Sequence, residues 1–153
     1  MKKRRLVIMG LFAIVTVLVL GSCGGGGGNK RLTKAEFAAK ANALCVSFNK
    51  ADKAAGSPSS LAEAVAYFEK LTPLYEKRVA DLDALKPPAD EQATVDKIVA
   101  LEKDEADVAR QLLAALKAND QAKANELVAS GNANSKKAKV LYKELGLTEC
   151  AKG

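Results

Sequence analysis

From Thr33 onward, apolar residues recur every three or four positions in four successive segments. The segments are rich in Ala, Leu, Glu and Lys, and none alternates polar with β-branched residues as a strand would. Short breaks that contain Gly, Pro or Asn separate them at residues 56–58, 86–88 and 119–120. Such a chain can bury its apolar stripes only by packing helices on one another. We therefore predict an all-α fold, an up-down four-helix bundle over residues 33–153.

Capping sequences mark the starts of the first two helices. Thr33 with Glu36, and Ser60 with Glu63, have the spacing of a capping box, in which each side chain bonds the backbone of the other residue. The third helix is expected over about 89–118 and the fourth over about 121–145, with Asn119 and Asp120 supplying the break and a cap between them. Gly146 is placed to end the fourth helix in a left-handed conformation.

The apolar stripes predict which residues form the core. The first helix contributes Phe37, Ala41, Leu44 and Phe48. The second contributes Leu61, Val65, Phe68, Leu71, Tyr75, Val79, Leu82 and Leu85. The third contributes Val95, Ile98, Leu101, Val108, Leu112 and Leu116, and the fourth Leu127, Val128, Ala138, Leu141 and Leu145. Pro73 interrupts the second stripe, where it removes a backbone donor, so we expect helix 2 to be kinked near residues 69–72.

Residues 1–22 have the pattern of an export signal. KKRR at positions 2–5 precedes the apolar segment Leu6–Leu20. As a helix this segment would rise only about 22 Å, short of the roughly 30 Å hydrocarbon core of a bilayer. The pattern is typical of a cleaved secretory signal peptide, and an uncleaved membrane anchor is the alternative.

The end of this segment, Leu20, Gly21, Ser22 and Cys23, resembles the lipobox of bacterial lipoproteins: a branched aliphatic residue, two small residues and a cysteine. The resemblance implies that the Cys23 thiol receives a diacylglyceryl group and that signal peptidase II cleaves before Cys23. The new amino group can then be acylated as well. Because two or three acyl chains anchor a protein stably, we expect lipid attachment to the cell membrane on its extracytoplasmic face.

Five consecutive glycines, Gly24–Gly28, follow the lipobox cysteine. Glycine loses more backbone entropy on folding than any other residue, so this run is a poor helix former. We predict that residues 23–32 are a lipidated cysteine and a flexible tether, with a typical reach of roughly 17 Å between Gly24 and Thr33.

The net charge of +6 comes mostly from the export signal. Four of the 24 cations precede Cys23 and no acid does, which leaves 20 cations against 18 anions in the rest of the chain. A mature region this close to neutrality gives no electrostatic case for nucleic-acid binding.

With Cys23 assigned to lipid, Cys45 and Cys150 remain. An even number of cysteines in an exported chain favours a disulfide, which would join helix 1 to the tail beyond helix 4. Closing a loop of about 106 residues would contribute about 4 to 5 kcal/mol by chain entropy. A reactive or metal-binding pair is the alternative, which the absence of histidine and of a CxxC spacing disfavours.

The absence of histidine removes the usual general base, the Ser-His-Asp and Cys-His arrangements and the Glu-x-x-His ligands of di-iron bundles. Four carboxylates, Glu102, Asp104, Glu105 and Asp107, are close in sequence, but helical spacing predicts that they spread over a solvated surface. We therefore predict no catalytic residues, no metal and no cofactor, and a protein that is not an enzyme.

The fourth stripe contains small or polar residues where a core needs bulk. Gly131, Asn134 and Ser135 occupy inward positions between Val128 and Ala138. One interpretation is the close approach of a bulky neighbour such as Tyr75, with the asparagines exposed. The other is a small polar recess for a ligand, lined by Tyr75, Gly131, Asn134 and Ser135.

Three motifs of the region between Leu32 and Cys150 carry a second resemblance: LTKAEFAAKANALC at its start, LDALKPPAD in mid-chain and ELGLTEC at its end. They are similar to those of a family of small helical lipoproteins of actinobacteria and their relatives. The resemblance implies the same helical architecture and the same pairing of an early with a terminal cysteine, and it brings no activity with it. Two functions follow as hypotheses: a non-enzymatic interaction or structural module with an envelope-protein partner, and an extracytoplasmic ligand-binding bundle.

Overall fold

The computed structural model describes residues 30–152 and contains four α-helices in that range. They are α1 (Lys34–Ala55), α2 (Leu61–Asp83), α3 (Gln92–Lys117) and α4 (Gln121–Glu144), followed by a short 3₁₀ turn, η1 (Cys150–Lys152). The all-α fold is confirmed. The predicted signal peptide, the lipidation of Cys23 and the glycine run lie outside the described residues.

Local sequence signals set three of the four helix starts. Thr33 Oγ1 accepts from the backbone N–H of Glu36 at 3.3 Å, and the Glu36 carboxylate accepts from the backbone N–H of Thr33 at 2.8 Å. In α2 the box is divided between two serines: Ser60 Oγ accepts from the backbone N–H of Glu63, whereas the Glu63 carboxylate accepts from Ser59. The capping signals therefore predicted these starts within one residue.

The boundaries of the last two helices differ little from those expected. Helix α3 begins at Gln92 rather than Ala89, because residues 88–91 form a separate turn in which the N–H of Glu91 donates to Pro88 O at 3.1 Å. Asp120 caps α4 by accepting from the backbone N–H of Lys123 at 3.0 Å.

The end of α4 is a Schellman motif. Gly146 has the predicted left-handed conformation, with φ of 67°. The N–H of Leu147 donates to Tyr142 O at 2.8 Å and that of Gly146 to Lys143 O at 3.2 Å. Leu147 is fully buried beyond the cap, so the motif turns the chain back onto the core.

Helix α2 continues through Pro73, which lies on its exposed side. The proline therefore does not divide the helix in two, and the predicted kink stays a prediction. Two positions expected in the core are wrong: Leu61 is 43% exposed and Val128 is 48% exposed. Leu61 is the first residue of α2, where the apolar stripe runs past the packed region, whereas Val128 lies one position, or about 100° around the helix, from the buried Leu127.

Successive helices pack side by side, as the short connections require. By contrast, α1 and α4 share no pair of Cα atoms within 8 Å among the described residues. At one end of the bundle the C-terminal segment fills this gap, since Asn42 Oδ1 accepts from the backbone N–H of Glu149 at 2.9 Å and Asn49 Nδ2 donates to Glu149 O at 3.0 Å. The Cys45–Cys150 disulfide closes the same end, with Cα atoms 5.0 Å apart.

The core consists of two clusters. The larger lies at the disulfide end and includes Phe37, Ile98 and Tyr142. The smaller, built around Leu112 and Leu127, lies at the other end and receives no buried residue from α1. The C-terminal half of α1 thus covers the bundle less tightly than its first half, and this difference leaves space beside it.

Candidate functional site

A buried carboxylate is held at the centre of the bundle by groups from two other helices. Glu102 of α3 is only 2% exposed. One of its oxygens accepts from the guanidinium of Arg78 in α2, and the other accepts from the hydroxyl of Tyr142 in α4. A charge can persist in a core only if it is paired and hydrogen-bonded in this way.

Arg78 makes three further contacts that fix its side chain. Its guanidinium carbon lies 4.6 Å from the ring centre of Tyr75 and 5.1 Å from that of Phe48, both within the range of cation–π attraction. Its Nη1 also donates to the sulfur of Cys45 at 3.4 Å. Arg78 therefore links the ionic pair, two aromatic rings and the disulfide.

These contacts correct the prediction that the four carboxylates of α3 form a solvated face. Asp104 and Asp107 are exposed, as expected, but Glu102 is buried and Glu105 is half-buried. Glu102 stands four residues after Ile98, in register with the buried stripe, and that periodicity was the signal that could have found it. The prediction assigned Leu101 to this position instead, because a charged residue is the less common occupant of a core.

Burial also changes the acidity of these groups. Burial raises the pKa of Glu102, and the guanidinium of Arg78 opposes that shift. Burial likewise raises the pKa of Glu105, and the negative charge of nearby Glu102 adds to the effect. The hydroxyl of Tyr75 and the charges of Arg78 and Lys139 offset only part of this effect, so the pKa of Glu105 stays raised.

Beside Glu105, the space under the second half of α1 forms a cleft of about 210 Å³, here called the aromatic cleft. Its walls come from α1, α2 and α3. Four aromatic rings line it: Phe48, Tyr67, Phe68 and Tyr75. They stand edge to face in two pairs, with ring centres 5.4 Å apart for Phe48 and Tyr75 and 5.2 Å apart for Tyr67 and Phe68. Edge-to-face pairs of this kind give a ligand site rigid apolar walls.

Polar groups interrupt these walls at a few positions. Thr72 is 7% exposed, and its hydroxyl has no hydrogen-bond partner among the described residues. The hydroxyl of Tyr75 is also buried, and it lies close enough to the carboxylates of Glu102 and Glu105 to lower the pKa of both. Buried polar atoms without partners are uncommon in folded proteins. The unpartnered hydroxyl of Thr72, on a residue that lines the cleft, indicates that water or a ligand completes the site.

The opposite wall carries a second carboxylate, Asp52 of α1. The hydroxyl of Tyr67 donates to Asp52 across the mouth between α1 and α2. Burial, together with this bond and the charge of Asp52, raises the pKa of Tyr67 to about 12. Tyr67 is therefore a neutral hydrogen-bond donor to Asp52 at physiological pH.

The predicted ligand recess is only partly assembled. Tyr75 and Ser135 line a cavity of about 100 Å³ that adjoins the aromatic cleft and also contacts Glu102 and Glu105. Gly131 and Asn134 are not among its lining residues. A Cβ atom on Gly131 would lie 3.6 Å from Val108 Cγ1, so this glycine faces α3 rather than an open space. Sequence reasoning thus placed Tyr75 at a cavity but missed Asp52, Thr72 and Glu105.

The predicted Cys45–Cys150 disulfide is present. Within the described residues, no group of three or more cysteine or acidic side chains is arranged to hold a metal ion. In the same range, no helix combines the length and apolarity that crossing a bilayer requires. Comparison with known proteins yields no matching family model, no matching curated protein and no matching solved structure. What the protein binds is therefore inferred from the chemistry of its own side chains.

Proposed function

We propose that this protein is a lipid-anchored extracytoplasmic module that binds a small molecule in the aromatic cleft and performs no catalysis. The observation that carries the proposal is a cleft walled by four aromatic rings and lined by Thr72, whose buried hydroxyl has no hydrogen-bond partner among the described residues. A mostly apolar pocket with a few convergent polar groups is the usual form of a small-molecule site.

The proposed anchor is supported by the LGSC sequence and by where the folded domain begins. The guanidinium of Arg31 donates to Pro87 O at 2.9 Å and the backbone N–H of Leu32 donates to Lys86 O at 2.8 Å, so the chain is already fixed at Arg31. The tether that the glycine-rich sequence predicts would then comprise residues 24–30, for which Gly-rich scaling gives a reach of about 15 Å.

The cleft would face away from the proposed membrane anchor. The tether enters at the end of the bundle that carries the start of α1 and the loop between α2 and α3. Asp52 lies 19 residues beyond Thr33 along α1, which is a distance of about 28 Å at the α-helical rise. The cleft would thus lie toward the end of the domain that is farther from the point where the proposed tether joins it.

The anchor is tested by labelling growing cells with a palmitate analogue. The wild type should incorporate the label and lose residues 1–22, whereas Cys23→Ala should do neither. Gly28→Ala, which alters the glycine run but not the lipobox, should behave as the wild type. Equal labelling of wild type and Cys23→Ala would contradict the anchor.

Ligand binding is tested by NMR with a fragment library that contains cationic, neutral and anionic members. Specific binders should shift the amide signals of residues around Thr72 and Tyr75. Ala109→Leu, which fills the cleft from α3, should abolish these shifts, and Ala100→Leu on the exposed side of the same helix should not. Shifts that persist in Ala109→Leu would place binding elsewhere.

An envelope-protein partner is the second function proposed. An apolar groove of about 300 Å³ between α1 and α2, lined by Leu44, Ala51 and the exposed Leu74, is the surface that favours it. Capture of the same envelope protein by the wild type and not by Leu74→Lys, from detergent-solubilised membranes, would support it. Retention of that protein by Leu74→Lys would remove the groove from consideration.

A further inference from the structure

The charge of the aromatic cleft restricts what it can bind. Among the described residues that line it, Asp52 on α1 and Glu105 on α3 are the charged ones, and both are acidic. The nearest cation behind the wall, Arg78, is already paired with Glu102. Arg78 and Lys139, which lines the adjoining cavity, each act on Glu105 and offset part of the effect of its burial. The cleft is therefore electronegative, which disfavours anionic ligands.

The aromatic rings of the cleft also favour a cationic ligand. The face of an aromatic ring is electron-rich and attracts ammonium and guanidinium groups. Phe48 and Tyr75 already make this interaction with Arg78, so the structure shows these two rings in contact with a cation. Tyr67 and Phe68 provide further ring surface within the same cleft.

The hydroxyl of Thr72 supplies a third and independent observation. It can accept a hydrogen bond, it belongs to a residue that is 93% buried and lines the cleft, and it has no partner among residues 30–152. An ammonium group carries three N–H donors and no acceptor. Two carboxylates and an unpartnered hydroxyl are a matching set of acceptors for such a group.

We propose that the aromatic cleft binds an organic cation, an amine whose ammonium group pairs with the carboxylates of Glu105 and Asp52 and whose compact apolar body packs against the four rings. This inference rests on the proposed small-molecule binding and specifies its ligand class. A cleft of about 210 Å³ has the volume of about seven water molecules, which limits the ligand to a small aromatic or branched amine.

The test compares three probes that share a phenyl ring and differ in charge: phenethylamine, 2-phenylethanol and phenylacetate. Their binding to the full-length protein in detergent is measured by isothermal titration calorimetry. Phenethylamine should bind about tenfold more tightly than 2-phenylethanol, because it alone gains the ion pairs and the cation–π contacts. Phenylacetate should bind most weakly.

Matched variants identify which side chains cause the preference for phenethylamine. Glu105→Gln and Asp52→Asn each remove one charge at nearly constant shape, and each should reduce the preference for phenethylamine over 2-phenylethanol several-fold. Thr72→Val should weaken phenethylamine binding, since it replaces the acceptor with a methyl group. Asp104→Asn, on the exposed side of α3, should change nothing. Circular dichroism establishes that each variant is folded.

The outcomes separate this inference from the function on which it rests. Equal affinities for phenethylamine and 2-phenylethanol, both lost in Ala109→Leu, would overturn the amine preference and leave small-molecule binding intact. A preference for phenethylamine that survives in both carboxylate variants would also overturn the inference. If none of the three probes binds saturably at millimolar concentration, the amine inference fails; a fragment that shifts signals at the cleft would still uphold the proposed function.

Discussion

The ionic pair between Arg78 and Glu102 makes the most discriminating prediction about stability. Replacing Arg78 with Leu leaves the 2%-exposed carboxylate of Glu102 without its cation. Removing one partner of a buried ion pair costs about 3 to 5 kcal/mol in general. Here the cost should depend on pH, because the protein can avoid the unpaired charge by protonating Glu102.

The size of this pH dependence has an upper bound. Protonating a carboxyl of ordinary pKa 4.5 at pH 7.5 costs about 1.4 kcal/mol per pH unit, or about 4 kcal/mol. At pH 4.5 the same step costs less than about 0.5 kcal/mol. Since the pKa of Glu102 is raised in the folded state, the free-energy cost of its buried charge is absent below about pH 4.5 and grows as the pH rises. The lost contacts with Phe48 and Tyr75 add about 1 to 2 kcal/mol at any pH.

Urea denaturation of Arg78→Leu and the wild type at pH 4.5 and pH 7.5, with the disulfide intact, measures the effect. The variant should lose about 1 to 2 kcal/mol at pH 4.5 and clearly more, up to about 5 kcal/mol, at pH 7.5. In the double variant Arg78→Leu/Glu102→Gln, the loss of stability should no longer depend on pH. Arg110→Leu is the matched control, because Arg110 is 57% exposed in its pair with Glu76, and it should cost less than about 1 kcal/mol at both pH values. An equal loss at both pH values in Arg78→Leu would refute the reasoning.

Further predictions concern the disulfide and two glycines. Replacing Cys45 and Cys150 together with Ala should lower the free energy of unfolding by about 4 to 5 kcal/mol, because the bridge closes a loop of about 106 residues. Chemical denaturation of this variant and of the wild type measures the loss. A loss below about 1 kcal/mol would contradict this value. Gly131→Ala should raise the thermal midpoint, since it adds a Cβ in ordinary contact within a helix, and the gain should be about 0.5 to 1 kcal/mol. Gly146→Ala should lower the thermal midpoint, because φ at this position is 67° and a Cβ atom is strained there. A higher midpoint for Gly146→Ala than for Gly131→Ala would contradict both predictions.

Local signals explain why so much of the fold could be predicted from the sequence. The capping residues Thr33, Ser60 and Asp120 act on backbone groups two or three positions away, so their effect is contained in a short stretch of chain. The disulfide was predicted from cysteine number and from the export signal rather than from geometry. Each of these inferences needed no knowledge of which helices meet.

The residues of the candidate site could not be predicted in this way. The burial of Glu102 depends on Arg78, which lies 24 positions earlier, and on Tyr142, which lies 40 positions later. An apolar stripe identifies the inward face of a helix but not how closely that face approaches its neighbour. The space beside Thr72 exists because the second half of α1 contributes no buried residue to the smaller core cluster, and no sequence pattern specifies that distance.

The ionic pair and the negative charge of the cleft have a common origin. Arg78 is a single cation placed between two acidic positions of α3, and its guanidinium bonds Glu102 directly. Glu105, by contrast, forms no ion pair among the described residues, and the hydroxyl of Tyr75 and the charges of Arg78 and Lys139 offset only part of the effect of burial on its pKa. Because the rings of Phe48 and Tyr75 hold Arg78 against Glu102, the guanidinium cannot turn to serve Glu105 without losing those contacts. The arrangement that stabilises the core thereby leaves a negative charge at the cleft for a ligand to neutralise.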